Sequence, residues 1–190
     1  MPRDITQLLS AIDSGNPKAA GELLPLVYEE LRRLAAHRLA NEQRQHTLQP
    51  TALVHEAWLR MAGDDGNPSF RNRAHFFGAA AEAMRRILIE RARRRLAAKR
   101  GGGVVPVELD ELDLPAPTAD DDQLLAVDEA LEKFAALDAR KAELVKLRYF
   151  VGMRFDEAAA ALGIAVPTAK QWWAYARAWL TVELRDGARR

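Results

Sequence analysis

The chain has 190 residues, 28 Lys and Arg against 27 Asp and Glu, and no cysteine. Without Cys there is no disulfide framework and no Cys-ligated zinc or iron–sulfur site. No apolar run approaches the ~20 residues of a bilayer span, and the N-terminus has an early acid where a secretory signal would be basic, so a cytoplasmic protein without a cofactor is expected.

Apolar residues recur at helical spacing almost throughout. Ile5, Leu8, Leu9 and Ile12 form a short stripe, with Asp4 placed to cap it and Gly15 to stop it. Asn16-Pro17 reads as a cap followed by proline at the first helical position. The helix it opens carries Leu23, Leu24, Val27, Leu31, Leu34 and Leu39, and Pro25 is expected to kink or restart it. Residues 43–49 are polar and read as a loop. Pro50 opens a third helix that buries Leu53, Val54, Ala57, Trp58 and Met61. Residues 63–68 are a Gly/Asp/Asn/Pro loop. A long helix follows over about 72–98, ended by Gly101-Gly102-Gly103.

Residues 104–121 hold Pro106, Pro115 and Pro117 among many acids and read as an extended, mobile linker. Helical spacing returns with Leu124, Leu125, Val127, Leu131 and Phe134. Asp138 is placed to cap a helix carrying Leu144, Val145, Leu147 and Tyr149, which Gly152 breaks. Asp156 is placed to cap a short Ala-rich helix ending at Leu162-Gly163, and a last helix runs from Val166-Pro167 through Leu180. No stretch alternates as a strand would. The fold class is all-α: two small helical domains, 1–100 and 122–190, joined by an acidic flexible linker over 101–121.

The net charge of +1 conceals a segregated pattern. It is −1 over residues 1–84, +7 over 85–100, −10 over 101–132 and +5 over 133–190. Two basic surfaces separated by an acidic tether fit this pattern, although a charge run taken alone is as readily a solvated helix face.

The last helices have helix-turn-helix spacing. Gly163 supplies a left-handed turn position, Ile164 an apolar plug, and Val166-Pro167-Thr168 opens the second helix. In that geometry Thr168, Lys170, Gln171 and Trp172 face major-groove base edges, and Arg177 suits a phosphate. Gln171 can bond adenine in bidentate fashion, and Lys170 can reach guanine or phosphate. Ala169, Trp173, Ala176 and Leu180 follow the core period, so Trp172, next to Trp173, must project toward another face. In the N-terminal half, Phe70, Arg71, Arg73, His75, Phe76 and Phe77 precede the basic helix. Aromatics among cations suit single-stranded nucleic acid, with bases stacked and the backbone held. Phe76 and Phe77 fit a core role better, which leaves Phe70 as the stacking candidate.

Three segments carry a family resemblance. Thr51-Ala52-Leu53-Val54-His55-Glu56-Ala57-Trp58-Leu59-Arg60 resembles the segment of bacterial sigma factors that docks on RNA polymerase. Ala74-His75-Phe76-Phe77-Gly78, continuing to Arg85-Arg86-Ile87-Leu88, together with Lys99-Arg100-Gly101-Gly102-Gly103, resembles their promoter-melting segment. Leu147-Arg148-Tyr149-Phe150-Val151-Gly152 and Ala176-Arg177-Ala178-Trp179-Leu180 resemble their C-terminal domain. In this order the segments resemble the extracytoplasmic function (ECF) class of the sigma-70 family over about residues 4–184.

The resemblance implies an alternative sigma factor, not an enzyme, that directs promoter-specific initiation. Its first domain would dock on the β′ clamp helices of core RNA polymerase through Leu53, Glu56, Trp58, Leu59 and Arg60. The same domain would recognise and melt the −10 element through Phe70, Arg71, Arg73, His75, Arg85, Arg86, Arg93, Arg94, Lys99 and Arg100. The second domain would read the −35 duplex and touch the β flap. The linker would thread into polymerase channels.

Two departures from the family pattern stand out. Many members carry acids just before the Leu-Val pair of the docking helix, where this chain reads Gln49-Pro50-Thr51-Ala52. Thr51 lies in the first turn, where a phosphate is favoured by the helix dipole and free N–H groups. A Ser/Thr kinase acting there would restore the charge; a plain early-turn threonine is the alternative, and an anti-sigma factor is another possible regulator. Relatives also tend to carry a base and an acid where Gln171 and Trp172 stand.

Rival functions are weaker. His55-Glu56 begins like a zinc-protease helix, but the second His would fall at Leu59, and neither a metal site nor a phosphate loop is discernible. A polymerase-independent helix-turn-helix regulator, binding a palindrome as a dimer, is the main alternative.

Overall fold

The computed structural model describes residues 16–40, 50–62, 70, 72–99 and 121–187, with isolated positions at 7, 8, 11 and 14. The expected first helix, apart from Gln7, Leu8 and Ala11, lies outside the described residues, as do the loops at 43–49 and 63–68 and the linker over 101–120.

Seven α-helices and one π turn make up the described chain: α1 (Pro17–Ala40), α2 (Pro50–Ala62), α3 (Arg73–Lys99), α4 (Asp121–Leu137), α5 (Ala139–Lys146), the π turn (Leu147–Val151), α6 (Phe155–Leu162) and α7 (Val166–Gly187). No strand occurs among the described residues, so the all-α reading holds.

Local chemistry sets the helix ends. At α1, Asn16 Oδ1 accepts from the Lys18 N–H at 3.1 Å, which satisfies one orphan donor of the first turn. Asn72 does the same for α3, accepting from the His75 N–H at 2.8 Å. Asp138 caps α5 by accepting from the Lys141 N–H at 3.0 Å, and hydrogen bonds from the Lys141 side chain and backbone hold its carboxyl below the usual range. Two expectations are corrected. Pro25 does not restart α1, which runs through it unbroken; the proline faces solvent. Asp156 is not the cap of α6. That helix starts one residue earlier, with the Arg154 N–H donating to Glu157 Oε2 at 2.9 Å, and Asp156 lies in its first turn. The π turn was not anticipated; it buries Leu147, Tyr149, Phe150 and Val151 and ends at Gly152 in the left-handed region, φ 86°.

Helix α3 is the central element. Phe76, Phe77, Ala80, Ala81, Met84, Ile87, Leu88 and Ala92 are all buried. At 3.6 residues per turn they span about 160° of its circumference, one broad buried face. It packs against α2 on one flank and against α4 and the π turn on another. Helices from before and after residues 100–120 thus share one continuous apolar core. Polar contacts cross the same boundary. Lys146 Nζ lies 3.2 Å from Glu82, and Arg33 Nη2 lies 2.7 Å from Glu157.

Candidate polymerase and nucleic-acid surfaces

The first candidate surface lies on α2, whose buried face holds Leu53, Val54 and Ala57. Its outer face presents Thr51, Ala52, His55 and Leu59 at spacings of three and four, one stripe of the helix. Leu59 is 57 % exposed. The expectation that Leu53 belongs to the docking face is corrected: it is fully buried, because its helical phase points at the core. Trp58 is half-buried against the core.

Glu56 and Arg60 are tied into the protein itself. Arg60 donates to Glu56 at 2.9 Å and to Glu90 of α3 at 2.9 and 2.7 Å, and Arg91 reaches Glu56 at 3.2 Å. The Glu90 hydrogen bonds raise the Arg60 pKa further above its ordinary value. These two residues therefore fix α2 against α3 and set the direction in which Leu59 points.

On α3, Arg86, Arg93, Arg94 and His75 are exposed. Arg86 pairs with Glu82 at 2.9 Å and Arg94 with Glu90 at 3.6 Å, both one turn apart. Arg71, Arg100 and the side chains of Arg73 and Lys99 lie outside the described residues. Two expected nucleic-acid contacts face inward. Phe70 is buried, edge-on to Phe76 at 5.0 Å and to His75 at 5.9 Å. Arg85 is only 9 % exposed. It donates to Asp128 and, at 2.5 Å, to Glu132, both on α4, and it also bonds Glu82 at 3.2 Å. Burial alone would push the Glu82 carboxyl up, but hydrogen bonds from Arg85 and Arg86 and the nearby Lys146 charge hold it down at about 2. At Asp128 burial wins and raises the carboxyl, the Arg85 charge drawing it back only in part.

The third surface is the turn between α6 and α7. Gly163 has φ 65°, a left-handed position that costs a Cβ-bearing residue about 1–2 kcal/mol. Its N–H donates to Ala160 O at 3.3 Å, and the Ile164 N–H to Ala159 O at 3.0 Å, closing α6. Ala169, Trp173, Ala176 and Leu180 are buried, the phase read from sequence. Lys170 and Gln171 point into solvent; Thr168 and Arg177 are half-buried.

Trp172 projects away from Trp173, toward α5. Arg140 lies 5.2 Å and Lys141 5.6 Å from its ring centre, and Lys141 also lies 5.3 Å from Tyr175. The indole face is thus occupied by cations. Sequence reading missed this pair, as it missed the α4 carboxylates, although Asp121, Asp128 and Glu132 sit at spacings of seven and four and so fall on one helix face.

A family model described as ECF sigma factor matches residues 2–186. The chain belongs to the ECF sigma factor family. No curated protein and no solved structure matches it significantly. As a family member this sigma factor directs transcription initiation, working with core RNA polymerase and promoter DNA. Among the described residues no helix is long and apolar enough to cross a membrane.

Proposed function

We propose that the three surfaces divide the work of initiation. The α2 stripe around Leu59 docks on the β′ clamp helices of the polymerase. The basic face of α3, with Arg86, Arg93 and Arg94, engages the melted −10 strand, and the start of α7 reads the −35 duplex beside the β flap. Residues 1–100 and 122–190 would act as two domains, with 101–121 as the threading linker. The observation that carries this reading is the exposed, one-sided α2 stripe: an apolar Leu59 kept in solvent while its neighbours Glu56 and Arg60 are locked to α3.

Thr51 is the proposed point of control. It is exposed in the first turn of α2, which contains no acid. A phosphate there would meet the free N–H groups of the turn and supply the charge the docking helix lacks. Run-off transcription with core polymerase is expected to rise by roughly tenfold, about 1.4 kcal/mol, for Thr51→Glu or the phosphorylated protein over the unmodified chain. Equal activity of all three would remove Thr51 from the scheme, as would full activity of Thr51→Ala in cells that contain the kinase.

At the −35 surface, Lys170→Ala is expected to lower the slope of log affinity against log salt by about 0.9 if Lys170 holds one phosphate. Core polymerase affinity should change much less. Equal loss of both affinities in titrations with duplex and with polymerase would refute the assignment.

A further inference from the structure

The start of α7 carries little charge of its own. From Val166 to Trp173 it includes one cation, Lys170, and no acid. Helix α5 brings further cations beside it. Arg140 is exposed in the first turn of α5, and its guanidinium lies over the Trp172 ring, 5.2 Å from the ring centre. Lys141 lies between Trp172 and Tyr175, 5.6 and 5.3 Å from their ring centres. It also pairs with Asp138, the carboxylate that caps α5. That ion pair is neutral overall, which leaves Arg140 as the net cation of the cluster. Glu143, the one acid within α5, is turned toward Gly78 of α3 and toward Lys146.

Helical phase places these groups around α7. Ala169, Trp173, Ala176 and Leu180 define its buried side. At about 100° per residue, Gln171 stands opposite that side, with Lys170 and Trp172 about 100° to either flank. A helix seated in the major groove has a sugar–phosphate backbone along each edge, about 12 Å apart. Gln171 would then face the bases, Lys170 one backbone, and Trp172 with its arginine the other. Stacking suits Arg140 to that task. A guanidinium on an aromatic face keeps its N–H donors, which radiate in its plane, available to an oxyanion. Being held in place, it also loses less freedom when the phosphate arrives.

We propose that Arg140 of α5, carried on the face of Trp172, binds a backbone phosphate of the −35 duplex, on the strand opposite the one Lys170 reaches. Lys141 is a positioning residue that fixes Trp172 and Tyr175 against α5. The inference rests on the reading of α7 as the −35 surface.

The test uses the full chain and a fluorescein-labelled duplex of about 20 base pairs and random sequence, because a phosphate contact is independent of sequence. Anisotropy is read from about 25 to 200 mM salt, beside affinity for core polymerase and the urea midpoint. Arg140→Ala is expected to lower the slope of log affinity against log salt by about 0.9, with polymerase affinity and midpoint as in wild type. Arg140→Lys keeps the charge and should keep the slope, while binding about threefold more weakly for want of the planar fork. Trp172→Leu should likewise keep the slope and weaken binding, because Arg140 is no longer held. If Lys170→Ala lowers the slope and Arg140→Ala does not, the proposal is overturned while the −35 reading stands. Loss of polymerase affinity in Arg140→Ala with duplex binding intact would assign Arg140 to the polymerase and overturn it equally. If wild type does not bind the duplex at the lowest salt, or neither Lys170→Ala nor Arg140→Ala alters the slope, the −35 reading of α7 falls and the inference with it.

Discussion

Replacing Leu59 by aspartate is expected to abolish co-elution with core polymerase and promoter-specific run-off, with little change in folding stability. Leu59 is the large apolar side chain that α2 leaves in solvent, 57 % exposed. An exposed leucine on its own needs no explanation. This one is held in place by a polar frame, because Glu56 and Arg60 are pinned to Glu90 and Arg91. A rigid apolar anchor of that kind loses little entropy on binding. Truncating a central anchor commonly costs 2 kcal/mol or more, and placing a carboxylate there adds an unpaired charge to a dry interface. Together these predict a loss of roughly a hundredfold or more in affinity. Surface substitutions away from special features usually change stability by about 0.5 kcal/mol or less, so the thermal midpoint should barely move. A variant that still binds polymerase within about threefold of wild type would relocate the docking surface.

The largest stability effect is expected at Phe76. Its side chain is fully buried and meets Phe70 and Phe77 edge-on, each with ring centres 5.0 Å apart. Phe76→Ala removes a large side chain and leaves a cavity that central α3, packed on several sides, cannot collapse into. Such substitutions cost about 3–5 kcal/mol, a large part of the 5–15 kcal/mol typical of a folded protein. The aromatic contacts add to this. The same cluster anchors Phe70, just before the basic helix, so the loss should also loosen the start of α3. A urea midpoint unchanged from wild type would contradict this packing.

Much of the fold was legible in the residues. Asn16 and Asp138 could be read as caps because a short polar side chain before an apolar period has one effective use there. The buried phase of α7 followed from the 3.6-residue period of Ala169, Trp173, Ala176 and Leu180. What was not legible depended on partners distant in sequence. The −10 charge block read as a tether proves divided: Asp121, Asp128 and Glu132 belong to a helix and bind α3 arginines. A charge sum along the chain carries no information about which cations those acids meet. Leu53 stands within the docking motif, while helical phase assigns it to the core and Leu59 to the surface. Phe70 looked exposed because it lies beside a loop, yet two aromatic neighbours enclose it. Arg140 and Lys141 carry no local signal because their partner, Trp172, stands 32 and 31 residues away on another helix.

As a sigma factor, this chain is expected to confer initiation on core polymerase without another sigma factor. Run-off transcription from a genomic DNA library, using purified core enzyme and this protein with Thr51 replaced by Glu, tests it most directly. Transcripts are expected to begin at defined positions downstream of a shared pair of upstream elements and to disappear with Leu59→Asp. Transcripts that appear only when a housekeeping sigma factor is added, with this protein bound as a dimer to a palindrome, would contradict it.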